Sequence, residues 1–272
     1  MLELTASLWA LALVLSVALI TWGISLLRHD VSIVDSLWSV FILLVLVTYA
    51  LNTSETGPRT ALIIGMVSLW ALRLSLHITV RNHGEPEDAR YQAIRRKNEP
   101  HFRFKSLYII FLFQGFLAWV ICLPALAAVS GQTAPGPLDY IGIALWLIGM
   151  TFEVVGDEQL SRFRKRHGSR DQVLNTGLWR YTRHPNYFGE AALWWGIYLL
   201  ALSAGAWWTI FAPALMTFLL LRVSGVAMLE KDISNRRPAY REYVRSTNAF
   251  FPGRSKLKTE TSDPMGVASE NL

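Results

Sequence analysis

Charge is scarce in this sequence. Of its 272 residues only 17% are Asp, Glu, Lys or Arg, while 52% are hydrophobic; soluble globular domains carry roughly 25% charged residues, so an ordinary water-facing surface is excluded. Cysteine is reduced to one residue, Cys122, inside an apolar run. It excludes an internal disulfide and reads as a small buried apolar side chain. No Gly-x-Gly-x-x-Gly follows a strand, and there is no P-loop, no Cys-x-x-Cys, no His-Glu-x-x-His and no Ser/His/Asp set. The common soluble cofactor folds and hydrolase triads are thereby excluded, and the scattered histidines have no metal spacing, so no metal is expected. The net charge of +6 sits in links between apolar runs, where it sets membrane orientation; nucleic acid is not expected as a partner.

What the chain does have is long apolar runs. Leu4 to Leu27 holds no charge, nor does Ser36 to Ser54, and roughly 20 such residues span a bilayer core as a helix. The first run is too long for a signal peptide, whose apolar part is roughly 7–15 residues, and no Lys or Arg precedes it; it reads as a retained anchor. Spans are expected at about 4–27, 31–51, 60–80, 106–129, 138–156, 187–204 and 206–224, separated by turn-rich links such as 52–58 and 130–137. Lys and Arg number seven between spans three and four, seven between five and six, and nine from Arg222 onward. Arg28 and Arg59 stand alone in the first two links, and the other two links have none. This alternation requires seven spans with the N-terminus outside and the C-terminus cytoplasmic. The expected fold is an all-α integral membrane bundle of seven helices, a single domain over 1–252, followed by a disordered polar tail over 253–272.

Ionisable groups inside spans cost about 2.5–3.5 kcal/mol each unless paired or facing a cavity. Asp35 lies early in span two; Arg73 and His77 share a face of span three, with Arg81 a turn later; Glu153 and Asp157 end span five; Glu190 enters span six a turn after Asn186. Taken singly, each reads equally as interhelical pairing, for instance Asp35 with Arg73. Together they point to a polar cavity opening to the cytoplasm. The densest stretch runs from Asn175 to Glu190 and contains Tyr181, Arg183, His184 and Pro185. Pro185 suits the first turn of a helix, which puts Arg183 and His184 where a helix N-terminus favours anions. A second charged cluster around Glu230 and Tyr240 follows span seven and reads as an interfacial helix or a cover over a ligand.

At these residues the sequence resembles the steroid 5-alpha-reductase (3-oxo-5-alpha-steroid 4-dehydrogenase) family. The motif is Gly177-Leu178-Trp179-Arg180-Tyr181 through Asn186-Tyr187-Phe188-Gly189-Glu190, with Asp157 and Arg164 before it. Upstream, the blocks Val34-Asp35-Ser36-Leu37-Trp38, Trp70-Ala71-Leu72-Arg73-Leu74 and Glu87-Asp88-Ala89-Arg90-Tyr91 are similar to those of its bacterial relatives. The likeness extends to about Pro252, although an Arg-His-Pro-x-Tyr-x-Gly block also occurs in sterol reductases and isoprenylcysteine carboxyl methyltransferases.

The resemblance implies NADPH held by Arg81, Asp157, Arg164, Asn186 and Glu190; Tyr181, Arg183, His184 and Glu230 of the two charged clusters are further candidates for holding it, and Asp35, His77 and Tyr91 are the candidates for the chemistry. Asp35 stands at the family's Glu position, but Ile78 occupies its Tyr position, and Val226 and Glu230 replace a His and Tyr after span seven. The reaction implied is hydride transfer to the double bond of a 3-oxo-Δ4-steroid or similar lipophilic enone, in a monomer of a bacterial inner membrane surrounded by membrane lipids. Two other readings stay open: a membrane methyltransferase using S-adenosylmethionine, and a non-enzymatic transporter or scaffold.

Overall fold

The computed structural model describes residues 2–166, 172–223, 226 and 238–254. Among them the chain is helical and contains no strand: α1 Leu4–Arg28, α2 Ile33–Asn52, α3 Thr60–Asn82, α4 Ala89–Asn98, α5 Phe102–Ser130, α6 Pro137–Arg166, α7 Pro185–Ser203, α8 Trp207–Val223 and α9 Pro238–Ser246. Five of these, α1, α2, α3, α5 and α6, are long and apolar enough to cross a membrane. α7 and α8 occupy the other two expected places with 19 residues and a shorter apolar helix. The second charged cluster, Glu230 included, lies largely outside the described residues, as does the tail beyond Arg254.

Two compact units form, one from residues 1–150 with 190–219, the other from 151–189 with 220–272. In the first, α2 packs against α1, α3 and α5, which is why Phe41, Ile42, Val45, Leu46 and Tyr49 are fully buried. The side-chain sorting is that of a bundle in lipid. α1 turns its small residues inward, with Ala6, Ala10, Val14, Ala18, Thr21 and Ser25 buried at helical spacing. Its Leu4, Leu8, Leu19, Ile20 and Leu27 face out, and α3 exposes Leu62, Leu69, Leu72, Leu76 and Val80 along one stripe. Water would oppose such a surface, whereas lipid leaves close packing of small residues to hold helices together. α6 and α7 cross on Gly142 and Gly196, where a Cβ on either would stand 2.6–2.7 Å from the other's carbonyl oxygen.

Helix ends follow local chemistry. α1 stops at His29 in a left-handed conformation, its N–H returning to the Ser25 carbonyl. Asp30 accepts from the Ser32 N–H at 2.8 Å and so opens α2. Pro137 and Pro185 each begin a helix, as their missing N–H allows. α7 ends through Gly205 at φ 84°, with the Ala206 N–H bonded to Ala201, a left-handed stop that glycine adopts without strain. α6 runs ten residues past the apolar run expected to end at 156, because its charged continuation is itself helix-forming.

Candidate functional site

The first unit builds a cluster around the first turn of α2. Asp35 Oδ1 accepts from the Tyr91 hydroxyl at 2.5 Å, and Oδ2 accepts from the Arg90 guanidinium at 2.7 Å. Both partners come from α4, and Gln114 of α5 donates its side-chain N–H to the Tyr91 oxygen at 3.2 Å. The cation that meets Asp35 is therefore Arg90. α4 is fastened onto the α1–α2 turn by the acids that precede it. Asp88 caps the helix through the Arg90 N–H at 2.8 Å and accepts from the Arg90 Nε at 2.9 Å, while its own N–H reaches the Ser32 hydroxyl. Glu87 accepts from the Val31 N–H at 3.0 Å and is gripped by Arg95 at 2.6 Å. The Glu87-Asp88-Ala89-Arg90-Tyr91 block thus presents one guanidinium and one phenol to one carboxylate.

Burial and the neighbouring Asp35 carboxylate push the Tyr91 hydroxyl well above its ordinary value of 10.0, so it remains a proton-bearing donor at neutral pH. Burial works to raise the Asp88 carboxyl, but the hydrogen bonds from Arg90 outweigh it and hold it below 3.8.

On α3, His77 is half-buried and interacts with its surroundings; Arg81, one turn on, is exposed and donates to the Asn82 side chain at 3.0 Å. Glu190 is buried, with its carboxylate held between two indoles, Trp70 at 3.1 Å and Trp194 at 3.2 Å. Those rings meet edge to face at 5.2 Å.

In the second unit Asp157, buried on α6, accepts from the Asn186 amide at 3.1 Å. Arg164 lies two turns along α6 and is exposed. Arg183 is buried and turned inward, its guanidinium donating to the carbonyls of Val244, at 3.1 Å, and Thr247. His184 is buried and stacks on Tyr187 with 5.4 Å between centroids. Tyr181 is 45% exposed, and its carbonyl accepts from the Gly253 N–H. Trp179 anchors this stretch through its indole N–H to the Gly156 carbonyl at 3.0 Å, and the Tyr243 hydroxyl bonds its carbonyl.

Of the residues singled out in the sequence, the structure joins Asp35 with Tyr91 and Asp157 with Asn186. Arg90, Gln114, Trp70 and Trp194 were not among them, although Arg90 and Trp70 lie in blocks that carried the family resemblance. No group of His, Cys, Asp and Glu among the described residues is arranged to hold a metal ion.

A family model described as "Protein of unknown function (DUF1295)" matches residues 21–247. An uncharacterized protein of Schizosaccharomyces pombe is 25% identical over 266 residues, covering 86% of this chain and 76% of its own. The 3-oxo-5-alpha-steroid 4-dehydrogenase 1 of Bos taurus is 30% identical over 140 residues, 44% of this chain and 53% of that protein. Its counterpart in Homo sapiens is 29% identical over 126 residues, 46% of each. The chain thus spans about half the length of these dehydrogenases. No solved structure matches.

Proposed function

Because this chain belongs to the DUF1295 family and is distantly homologous to steroid 4-dehydrogenases, we propose that it is an NADPH-dependent membrane reductase of lipophilic enones such as 3-oxo-Δ4-steroids or terpenoids. The observation that carries this reading is the Asp35–Tyr91 pair, a carboxyl and a protonated phenol meeting at the end of an apolar bundle. When bound, NADPH supplies the hydride that goes to the β-carbon of the enone. Negative charge then develops on the carbonyl oxygen, and a donor already in place there lowers the barrier. Tyr91, whose hydroxyl keeps its proton at neutral pH, becomes that donor when its one O–H turns from Asp35 to the substrate oxygen; Asp35 holds the hydroxyl in place until then, and water supplies the proton that the α-carbon takes to give the saturated ketone. This gives a phenol to a site where Ile78 stands at the family's Tyr position. His77 on α3 is a further catalytic group in this reading.

The donors in the second unit fit a nicotinamide dinucleotide in kind. Asp157 and Asn186 offer a carboxylate and an amide, and the exposed Arg164 guanidinium suits a phosphate, to which it can bond bidentately. Tyr181 is exposed and suits the same role; Arg81 and Glu190, in the first unit, are assigned to the cofactor by the resemblance alone. Arg183 and His184 act here by holding the stretch that leads into α7, whose second residue is Asn186. In the full proposal one domain over 1–252 has seven spans, its cofactor side faces the cytoplasm, and the enone enters from the lipid.

The test is a thermal shift followed by an assay on detergent-purified protein. NADPH raises the midpoint more than NADH or S-adenosylmethionine does, by the mass-action effect of a ligand that binds only the folded state. With a 3-oxo-Δ4-steroid present, NADPH is consumed and the saturated ketone accumulates. Stabilisation by S-adenosylmethionine alone would instead mark the chain as a methyltransferase.

A further inference from the structure

Beside α4 a cleft of about 370 Å³ opens at the end of α1, sharing Arg95 and Val31 with the contacts that fasten α4. Its walls include Ser25, His29, Arg95, Phe102, Arg103 and Ser106. We propose that this cleft binds the phosphate of an anionic membrane phospholipid.

The chemistry of the walls is one-sided. Two guanidiniums and an imidazole line the cleft and no carboxylate does. The two serines are committed as donors, Ser25 to the Trp22 carbonyl at 2.7 Å and Ser106 to the Arg103 carbonyl at 2.9 Å. The donors for a ligand are therefore the two guanidiniums and the imidazole. Arg103 bonds its neighbours through its carbonyl, which accepts from the Trp22 indole at 3.0 Å as well as from Ser106, and its guanidinium is exposed. Arg95 is held in place before any ligand arrives. Glu87 takes its Nε and one terminal nitrogen, and the Phe102 ring lies 4.4 Å beneath its guanidinium carbon. One edge of the fork stays available to an oxyanion, at little cost in side-chain ordering.

The surroundings select a lipid over a soluble phosphate. Leu27 is 83% exposed and Phe104 is 65% exposed beside the cleft, at the end of a helix long and apolar enough to span. Trp22, in the last two turns of α1, bonds the Arg103 carbonyl, and indoles concentrate at the boundary of hydrocarbon and water. A phosphate resting between His29, Arg95 and Arg103 would leave its acyl chains along Leu27 and Phe104. Basic pockets between helices at this level are suited to anionic headgroups.

The experiment uses the full chain in neutral detergent, with phosphatidylglycerol or phosphatidylcholine added at equal mole fraction and the thermal midpoint followed by lipid titration. Phosphatidylglycerol stabilises the wild type and phosphatidylcholine does not. Arg103→Gln keeps the fold and weakens the phosphatidylglycerol response about fivefold, as expected for one cation removed, while Lys105→Gln, on the same segment but outside the cleft, leaves it unchanged. An equal loss with Lys105→Gln would show general surface charge at work and overturn the site. Equal stabilisation by millimolar inorganic phosphate, abolished by Arg103→Gln, would overturn the lipid assignment in favour of a free phosphate ligand. None of these readouts involves NADPH or turnover, so failure here is separable from failure of the reductase reading.

Discussion

A carboxylate in the first turn of an apolar helix must be neutral or paired, and Asp35 is paired twice, by a phenol and by a guanidinium. The two contacts make separable predictions. Asp35→Asn keeps the size and hydrogen-bonding capacity of the side chain but removes its charge. NADPH binding should persist while enone turnover falls about 10²-fold or more, the scale for losing a positioned acid or oxyanion donor. Tyr91→Phe should do the same to turnover with little loss of stability, because the Arg90–Asp35 bond remains. Arg90→Gln instead strips Asp35 of its cation and should lower the thermal midpoint more than either. Steady-state kinetics and melting of the three variants check this; normal turnover in both Asp35→Asn and Tyr91→Phe would remove the pair from the mechanism. Since Tyr91 is displaced upward in pKa by burial and by Asp35, it should contribute no loss of activity on the alkaline side up to pH 10.

At the scale of elements, α4 is the piece whose placement the site depends on, and it is held by capping and charge more than by buried area. Asp88 has a folded pKa below its ordinary value, so its stabilisation is present above about pH 4 and is lost as acid carries the pH down through the lowered value. Asp88→Asn leaves a cap but not the charged bond to Arg90, and Asp88→Ala removes both, at a cost of about 1 kcal/mol for the cap alone. Trypsin at neutral pH should cut at Arg95-Arg96-Lys97 faster in Asp88→Ala than in wild type, with Asp88→Asn between; equal rates in all three would mean that α4 is held otherwise. Elements announced by apolar runs were legible in the sequence, since α1, α2 and α3 are uniform stretches bounded by turn chemistry. The extension of α6 past 156 was not, because its charged continuation reads as a loop wherever hydropathy marks the boundary. Nor was the partner of Asp35, because hydrophobic pattern says nothing about which of many loop arginines folds back across 55 residues. The Glu87-Asp88-Ala89-Arg90-Tyr91 block could be recognised, but its target could not. On the other side of the bundle, Arg59 had counted only as a lone charge in a link. It is in fact 1% exposed and donates to Asp139 at 2.5 and 2.8 Å.

That Arg59 cluster bears on the whole molecule. Arg59 precedes α3 and Asp139 lies in the first turn of α6. Ser203, the last residue of α7, donates to Asp139 at 2.6 Å and accepts from the Thr133 hydroxyl at 3.1 Å. The end of α7 is therefore level with the α2–α3 and α5–α6 links, which carry one basic residue and none. A helix of 19 residues rises about 28 Å at 1.5 Å per residue, close to the roughly 30 Å of a hydrocarbon core. A full crossing by α7, with return by α8 through the Gly205 turn, fits these contacts better than a re-entrant hairpin that stops midway. The two arrangements leave both termini on the same sides, so fusions after residue 100, 170 or 255 should report cytoplasm, and fusions near Gly57 or Gly131 should not, in either case. Trp207, 69% exposed just beyond the turn, separates them. In a Cys122→Ala background, Trp207→Cys should react with a membrane-impermeant thiol reagent added outside intact cells, at a rate matching a cysteine placed at Gln132. Protection of Trp207→Cys alongside a reactive Gln132→Cys would reduce the crossings to five. Breaking the cluster tests the same contact energetically. Arg59→Met leaves the Asp139 carboxylate buried without its cation and should cost about 3–5 kcal/mol, and Asp139→Asn should cost nearly as much. If α7 ends at this face, either change should also raise the reactivity of Ala204→Cys as the α7–α8 turn loosens; unchanged labelling with lowered stability would detach the turn from the cluster and, with it, the seventh span from the outer links.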